Sequence, residues 1–181
     1  HAGVICQAGS VARREASSTA AKEEDLIQRL LRVSSLPQPD VIDSALSQDF
    51  AKLGPDPRVG TRLLSGLAKG RRPDIAVLVL QWLKMQGSEV SVFHYGAILN
   101  SYAKGGEWLK ALNLLGEMEE AGVNADTITY NTAISACEKS GEWLKALELL
   151  SFMVQTSIQA SAISYSTAIS ACEKGGEWMK A

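Results

Sequence analysis

Apolar side chains recur along residues 127–161 at helical spacing. Tyr130, Ala133, Ile134 and Cys137 fall at i, i+3, i+4 and i+7 and make one stripe on a first helix. Trp143, Ala146, Leu147, Leu150 and Met153 make the stripe of a second. Lys139-Ser140-Gly141 separates the two, and a glycine there can take the left-handed conformation that closes a helix. Glu142 follows where the second helix begins, so its charge suits the helix dipole. The same punctuation returns at Gly106–Glu107 and Gly176–Glu177.

The pattern is a repeat. A displacement of 35 residues brings Tyr95, Tyr130 and Tyr165 into register, with Trp108, Trp143 and Trp178. Residues 128–146 and 163–181 agree at 15 of 19 places. Lys69, Lys104, Lys139 and Lys174 share the period, as do Ala76, Ala111, Ala146 and Ala181. Three whole units follow, 57–91, 92–126 and 127–161, and then a truncated one at 162–181. A single hairpin of this size cannot bury both stripes, so consecutive hairpins must stack. The expected fold is all-α: an α-solenoid, a right-handed superhelix of stacked 35-residue helix-turn-helix repeats.

Upstream, 23–56 reads as a degenerate helical repeat or cap. EEDLIQRLLRV supplies its first helix and VIDSALSQDFAKL its second, with Pro39 and Asp40 near the second start. The register of the first of these helices is off by about one residue. Residues 1–22 are rich in Ala and Ser, carry Arg13 and Arg14 and have no acid before Glu15, the composition of a disordered or transit-peptide-like segment. An organellar location, mitochondrion or plastid, is the expectation that follows. A start at His1 and a stop at Ala181 inside a helical pattern suggest a piece of a longer product.

Composition narrows the chemistry. With 46% hydrophobic and 21% charged residues, the 181-residue chain has enough apolar surface to fold, and no apolar run reaches the roughly 18 residues of a membrane span. Three cysteines, Cys6, Cys137 and Cys172, make no disulfide framework. His1 and His94 are the only histidines, so neither a Cys-His zinc set nor a Ser-His-Asp grouping can be assembled. No metal, cofactor or catalytic residue is expected within these repeats. Residues 57–181 hold 12 Lys+Arg against 12 Asp+Glu, so any polyanion must be bound by local placement of charge.

The period of 35 and the string TITYNTAISACEKSGEWLKALELLSFM resemble the pentatricopeptide repeat. That family's pattern has an apolar-x-Tyr-Asn start, a Lys-x-Gly turn and an Ala-Leu-x-Leu-Leu second helix. Tetratricopeptide repeats, with 34 residues, place Trp in the first helix, whereas here it opens the second. Gly60 in place of Tyr and Pro73 in place of Trp depart from the pattern in unit 57–91. The resemblance implies binding of single-stranded RNA, one base per repeat, in organellar RNA metabolism: processing, stability, editing or translation. It implies base reading by Thr61 with Ser91, Gly96 with Asp126 and Asn131 with Ser161, while Ser166 opens a fourth pair. It also implies base stacking on Arg58, Phe93, Ile128 and Ile163. Asn131 with Ser161 would then favour a pyrimidine, cytosine first, and Thr61 with Ser91 a purine.

Physical reasons stand beside the resemblance. Short polar side chains can meet a base edge that long ones would block, and a flat apolar or guanidinium surface stacks on any base. Lys69, Lys104, Lys139 and Lys174 would form a track matching regularly spaced phosphates, although each would also complement the end of its helix. Trp108, Trp143 and Trp178 beside apolar neighbours, and Cys137 and Cys172 on the inward stripe, read as core. A protein-binding scaffold is the competing function, supported by the neutral charge and the poor reading pair Gly96–Asp126. Other proteins of an RNA-processing complex are a further class of partner.

Overall fold

The computed structural model describes residues 19–33, 39–53 and 57–176. Every regular element among them is an α-helix: α1 (19–31), α2 (Pro39–Leu53), α3 (Pro57–Lys69), α4 (Pro73–Met85), α5 (Val92–Gly105), α6 (Trp108–Glu120), α7 (Thr127–Ser140), α8 (Trp143–Gln155) and α9 (Ala162–Lys174). Helices α5, α7 and α9 begin at the first residues of their repeats, as the 35-residue period requires.

Two compact units divide the chain, His1–Ser88 and Glu89–Ala181. The division falls near the end of repeat 57–91, with α3 and α4 packed on the helices before them. In that first unit Arg62 donates to both carboxylate oxygens of buried Glu23 at 2.6 Å, and Trp82 Nε1 donates to Asp43 Oδ1 at 2.8 Å. Arg72, held by Asp74, donates to the α1-terminal carbonyls of Leu31 and Val33 at 3.2 and 2.9 Å. Those carbonyls lack helical partners, so the guanidinium acts as a cap supplied from the next hairpin. Buried Glu23, Leu26, Ile27 and Leu30 of α1 correspond to Gly60, Leu63, Leu64 and Leu67 of α3. That is a displacement of 37, two residues more than the 35-residue period, where the sequence suggested a slip of about one. Helix α1 also takes in residues 19–22 of the segment expected to be non-globular. Ala20 and Ala21, strong helix formers, accompany that extension. The rest of that segment, residues 1–18, lies outside the described residues.

In the second unit α5 pairs with α6 and α7 with α8, while first helix packs on first helix, α5 on α7 and α7 on α9. Gly106 and Gly141 adopt φ of 69° and 72° and close α5 and α7. At each, the glycine N–H reaches back three residues and the following glutamate N–H reaches back five, to Tyr102 and Cys137 at 3.0 Å. This paired bonding is the Schellman closure that glycine favours. Leu115, Tyr130, Ala133, Ile134, Cys137, Ala146, Met153, Ala168 and Ala171 then form one core, with Trp108 and Trp143 against its edge. The core draws on α6, α7, α8 and α9 together, so no hairpin owns it: the arrangement is an α-solenoid.

Candidate nucleic-acid interface

Helices α5, α7 and α9 each turn one face to the core and one to solvent. Tyr95, Ile98 and Leu99 are buried in α5, as are Tyr130, Ala133 and Ile134 in α7. On the opposite face Phe93, Ile128 and Ile163 are 72%, 73% and 65% exposed. A single exposed apolar residue says little, but three at one register on adjacent helices are a pattern. Three residues further on stand Gly96, Asn131 and Ser166, and eleven residues on stand Lys104, Lys139 and Lys174. Eleven residues make about three helical turns, so each exposed stripe runs about 16 Å from an apolar side chain to an ammonium group. The sequence-expected stacking, reading and phosphate positions therefore share one face of each helix.

The last residue of each repeat is also the N-cap of the next first helix. Asp126 Oδ1 accepts from Thr129 N at 2.8 Å and Thr129 Oγ1 at 2.7 Å. Ser161 caps α9, and Asn131 Nδ2 reaches its Oγ at 3.4 Å, so the expected pair Asn131–Ser161 is brought together. Ser91 caps α5 through His94, its backbone N–H donating to Nδ1 at 3.1 Å. A methyl group added to Gly96 would meet nothing within 4 Å, so the pair Gly96–Asp126 offers one side chain and a space. Ser166 donates to the carbonyl of Ile163 at 3.1 Å. In the first unit Arg58 is exposed, and Thr61 and Lys69 line an open groove of about 550 Å³ between α1 and α3. Ser91, the partner expected for Thr61, belongs to the second unit.

Charge divides the lysines. Lys174 Nζ donates to Glu138 Oε1 at 2.5 Å, so this ammonium group already has an anionic partner. The residue that would hold Lys139 in the same way, 35 places before Glu138, is Ala103. Lys104 and Lys139 are exposed and make no ion pair among the described residues. Cys137 and Cys172 are buried, and burial pushes the Cys137 thiol up to about 11, with Glu142 adding to the effect, so it is a packing group. Trp108 and Trp143 are half-buried at the core, and Trp178 lies outside the described residues. Among the described residues no three His, Cys, Asp or Glu side chains gather as a metal site would require, and no helix is long and apolar enough to cross a membrane. Sequence reasoning missed His94, Thr129 and Ser164, buried polar residues just before each tyrosine. The signal was available: a polar residue stands just before the tyrosine position in each of these repeats.

Residues 90–139 and 125–174 match the PPR repeat family, the second stretch beginning 35 residues after the first. Residues 90–174 are pentatricopeptide repeats. Among solved structures, the pentatricopeptide repeat protein PPR10 from maize is similar with a TM-score of 0.66, at 23% identity, over 78% of this chain and 20% of that one. PPR10 in complex with an 18-nt psaJ RNA element is similar with a TM-score of 0.62, at 21% identity, over 98% of this chain and 29% of that one. This chain thus spans less than a third of those proteins, and at such identity the likeness is one of fold, the pentatricopeptide α-solenoid. No curated protein sequence matches the chain.

Proposed function

We propose that the exposed face of α5, α7 and α9 binds single-stranded RNA, one base per repeat. The observation that carries this reading is the threefold recurrence, on adjacent helices, of an exposed apolar residue, a small residue three places on and a lysine eleven places on. A base has two apolar faces and a polar edge, and its phosphate lies to one side, so the three positions address the three parts of a nucleotide. The PPR10 complex with RNA supports the same reading for this fold.

Asn131 with Ser161 takes a pyrimidine, cytosine first. The strand runs 5′ to 3′ along the chain from N to C. The N-terminal Ala-, Ser- and Arg-rich composition supports an organellar setting, with transcript processing, stability, editing or translation as the role. Other proteins of such a complex are further partners. No catalytic step is assigned to these residues.

Selection from a randomised single-stranded RNA pool on the purified chain tests the reading. Enrichment of cytosine at one place supports it, and purine enrichment opposite repeat 127–161 defeats the assignment of that repeat. Failure to bind any RNA favours a protein-binding scaffold, for which Leu109 and Leu144, 57% and 52% exposed at equivalent places on α6 and α8, supply a recurring apolar surface.

A further inference from the structure

Near the starts of α5, α7 and α9 the buried faces carry a polar residue at one shared register, where His94, Thr129 and Ser164 are 5%, 3% and 0% exposed. A buried polar side chain is costly unless it is hydrogen-bonded. All three spend that bonding on the residue three places earlier, the cap of their own helix. His94 Nδ1 receives the backbone N–H of Ser91 and lies 2.9 Å from its Oγ. Thr129 Oγ1 donates to Asp126 Oδ1. Ser164 Oγ accepts the backbone N–H of Ser161 at 2.9 Å and donates to Asn131 Oδ1 of the preceding repeat at 2.6 Å. A helix cap needs only the backbone N–H of its third residue. Here the third side chain joins in as well, in two different chemical forms, an imidazole at His94 and a hydroxyl at Thr129 and Ser164. Repeat 57–91 has Val59 at this place and cannot do so.

We infer that the third residue of each repeat from 92 onward, His94, Thr129 and Ser164, is a positioning residue that sets which hydrogen-bonding atom the reading residues show to a base. The inference rests on the RNA-binding reading above. Counting hydrogens gives its content. The one hydroxyl hydrogen of Ser164 goes to Asn131 Oδ1, which occupies the amide oxygen and turns the NH2 group outward. One of its hydrogens reaches toward Ser161 Oγ, and the other is left to donate to a base acceptor such as cytosine N3 or O2. Asp126 Oδ1 is filled twice by Thr129, so the carboxylate meets a base through Oδ2 and only as an acceptor, which suits the ring N–H of uracil or guanine. Because Nδ1 of His94 already receives a backbone N–H, it is an acceptor, and the Ser91 hydroxyl hydrogen turns toward it. The outward side of Ser91 Oγ is then a lone pair. Without the third residue, the Asn131 amide and the Ser91 hydroxyl are free to rotate and to show either polarity, while the Asp126 carboxylate stays an acceptor and loses only the fixed choice of oxygen.

The test is selection from the same randomised RNA pool on the full chain, on Ser164→Ala and on Ser164→Thr, with melting of each. The expected result is that Ser164→Ala binds RNA as well as the parent but loses its preference for cytosine over uracil at one place by roughly tenfold, the discrimination that one neutral hydrogen bond supplies. Ser164→Thr restores the preference because it restores the hydroxyl. If Ser164→Ala does not fold, Ser164→Cys, which keeps the size of the side chain but offers only a weak donor to Asn131 Oδ1, makes the same test at the same place, with the preference reduced there. An unchanged preference overturns this inference alone, and so does an equal loss of affinity for every base, which is the mark of a purely structural residue. A parent chain that enriches no RNA overturns the RNA-binding reading and this inference with it.

Discussion

At the scale of single residues, Asn131 and His94 make opposite use of one geometry. Asn131 is half-buried and keeps a donor available, because Ser164 occupies its amide oxygen. Asn131→Asp removes the donor and leaves acceptors only, so the preference at that repeat should turn from cytosine toward bases carrying a ring N–H; an RNA selection on the variant reads this directly. His94 is buried against its own cap, and burial holds its pKa below the ordinary 6.5. Above pH 6.5 the imidazole is neutral in both folded and unfolded chains and adds no pH dependence. As pH falls below 6.5 the unfolded chain takes up the proton first, so stability declines with acidification. Carboxylates also contribute to acid unfolding, and the comparison with His94→Gln isolates the histidine. That variant should lose less stability than the parent between neutral pH and pH 5, as measured by thermal melting, since glutamine can serve the same capping box without titrating.

At the scale of elements, small residues decide how closely helices approach. Ala76, Ala111 and Ala146 are each at most 1% exposed, so each of these second helices turns a small side chain to the core. Ala111→Phe should overpack the seam and cost roughly 1–3 kcal/mol in chemical denaturation; an unchanged midpoint would show that α6 is rotated away from the core. Gly175 supplies a second instance with a different partner. Its φ of −75° suits any residue, yet a methyl group there would stand 2.3 Å from Cδ1 of Trp143. Gly175→Ala must therefore displace an indole ring, with a cost in the same range of about 1–3 kcal/mol. Gly122, open on all sides but at a φ of 71°, makes the contrasting control: alanine there meets no atom and strains only the backbone.

At the scale of the whole molecule, neutrality matters as much as the lysine track. Residues 57–181 carry 12 basic and 12 acidic residues, so affinity for RNA has to come from stacking and edge contacts as well as from local ammonium groups. Three complete repeats offer about 1–3 kcal/mol for each base, against an association cost estimated at about 4–15 kcal/mol. Binding by the chain should be weak. Each phosphate neutralised on a single strand adds about 0.7 to the logarithmic salt slope, so Lys104→Ala with Lys139→Ala should flatten it by about 1.4 and leave base preference alone. Lys174→Ala should change the slope much less, because Glu138 already holds that ammonium group. Titration of a labelled single-stranded RNA across several salt concentrations checks both statements. A slope indifferent to Lys104 and Lys139 would return these residues to the role of solvated helix ends.

The repeat, its helical hairpins and its boundaries were legible in the sequence because they rest on local chemistry. Apolar spacing sets which face of each helix is buried, and Gly106 and Gly141 stop helices wherever they occur. The candidate face was legible for the same reason: Phe93, Ile128 and Ile163 lie at the start of a helix on the side its tyrosine does not occupy. The hydrogen-bonding of that face was not legible, because it joins residues from adjacent repeats. Asn131 meets Ser161 and Ser164 across some thirty residues of chain, and Lys174 meets Glu138 across 36. The two-residue slip of α1 likewise depends on how closely Gly66 and Gly70 let Ile27 and Leu31 approach. Sequence alone determined which side chains can be offered to a ligand, since helical periodicity is a property of each segment. Tertiary structure alone decided which donors, acceptors and charges remain unspent, since that depends on the neighbours that stacking brings within hydrogen-bond reach.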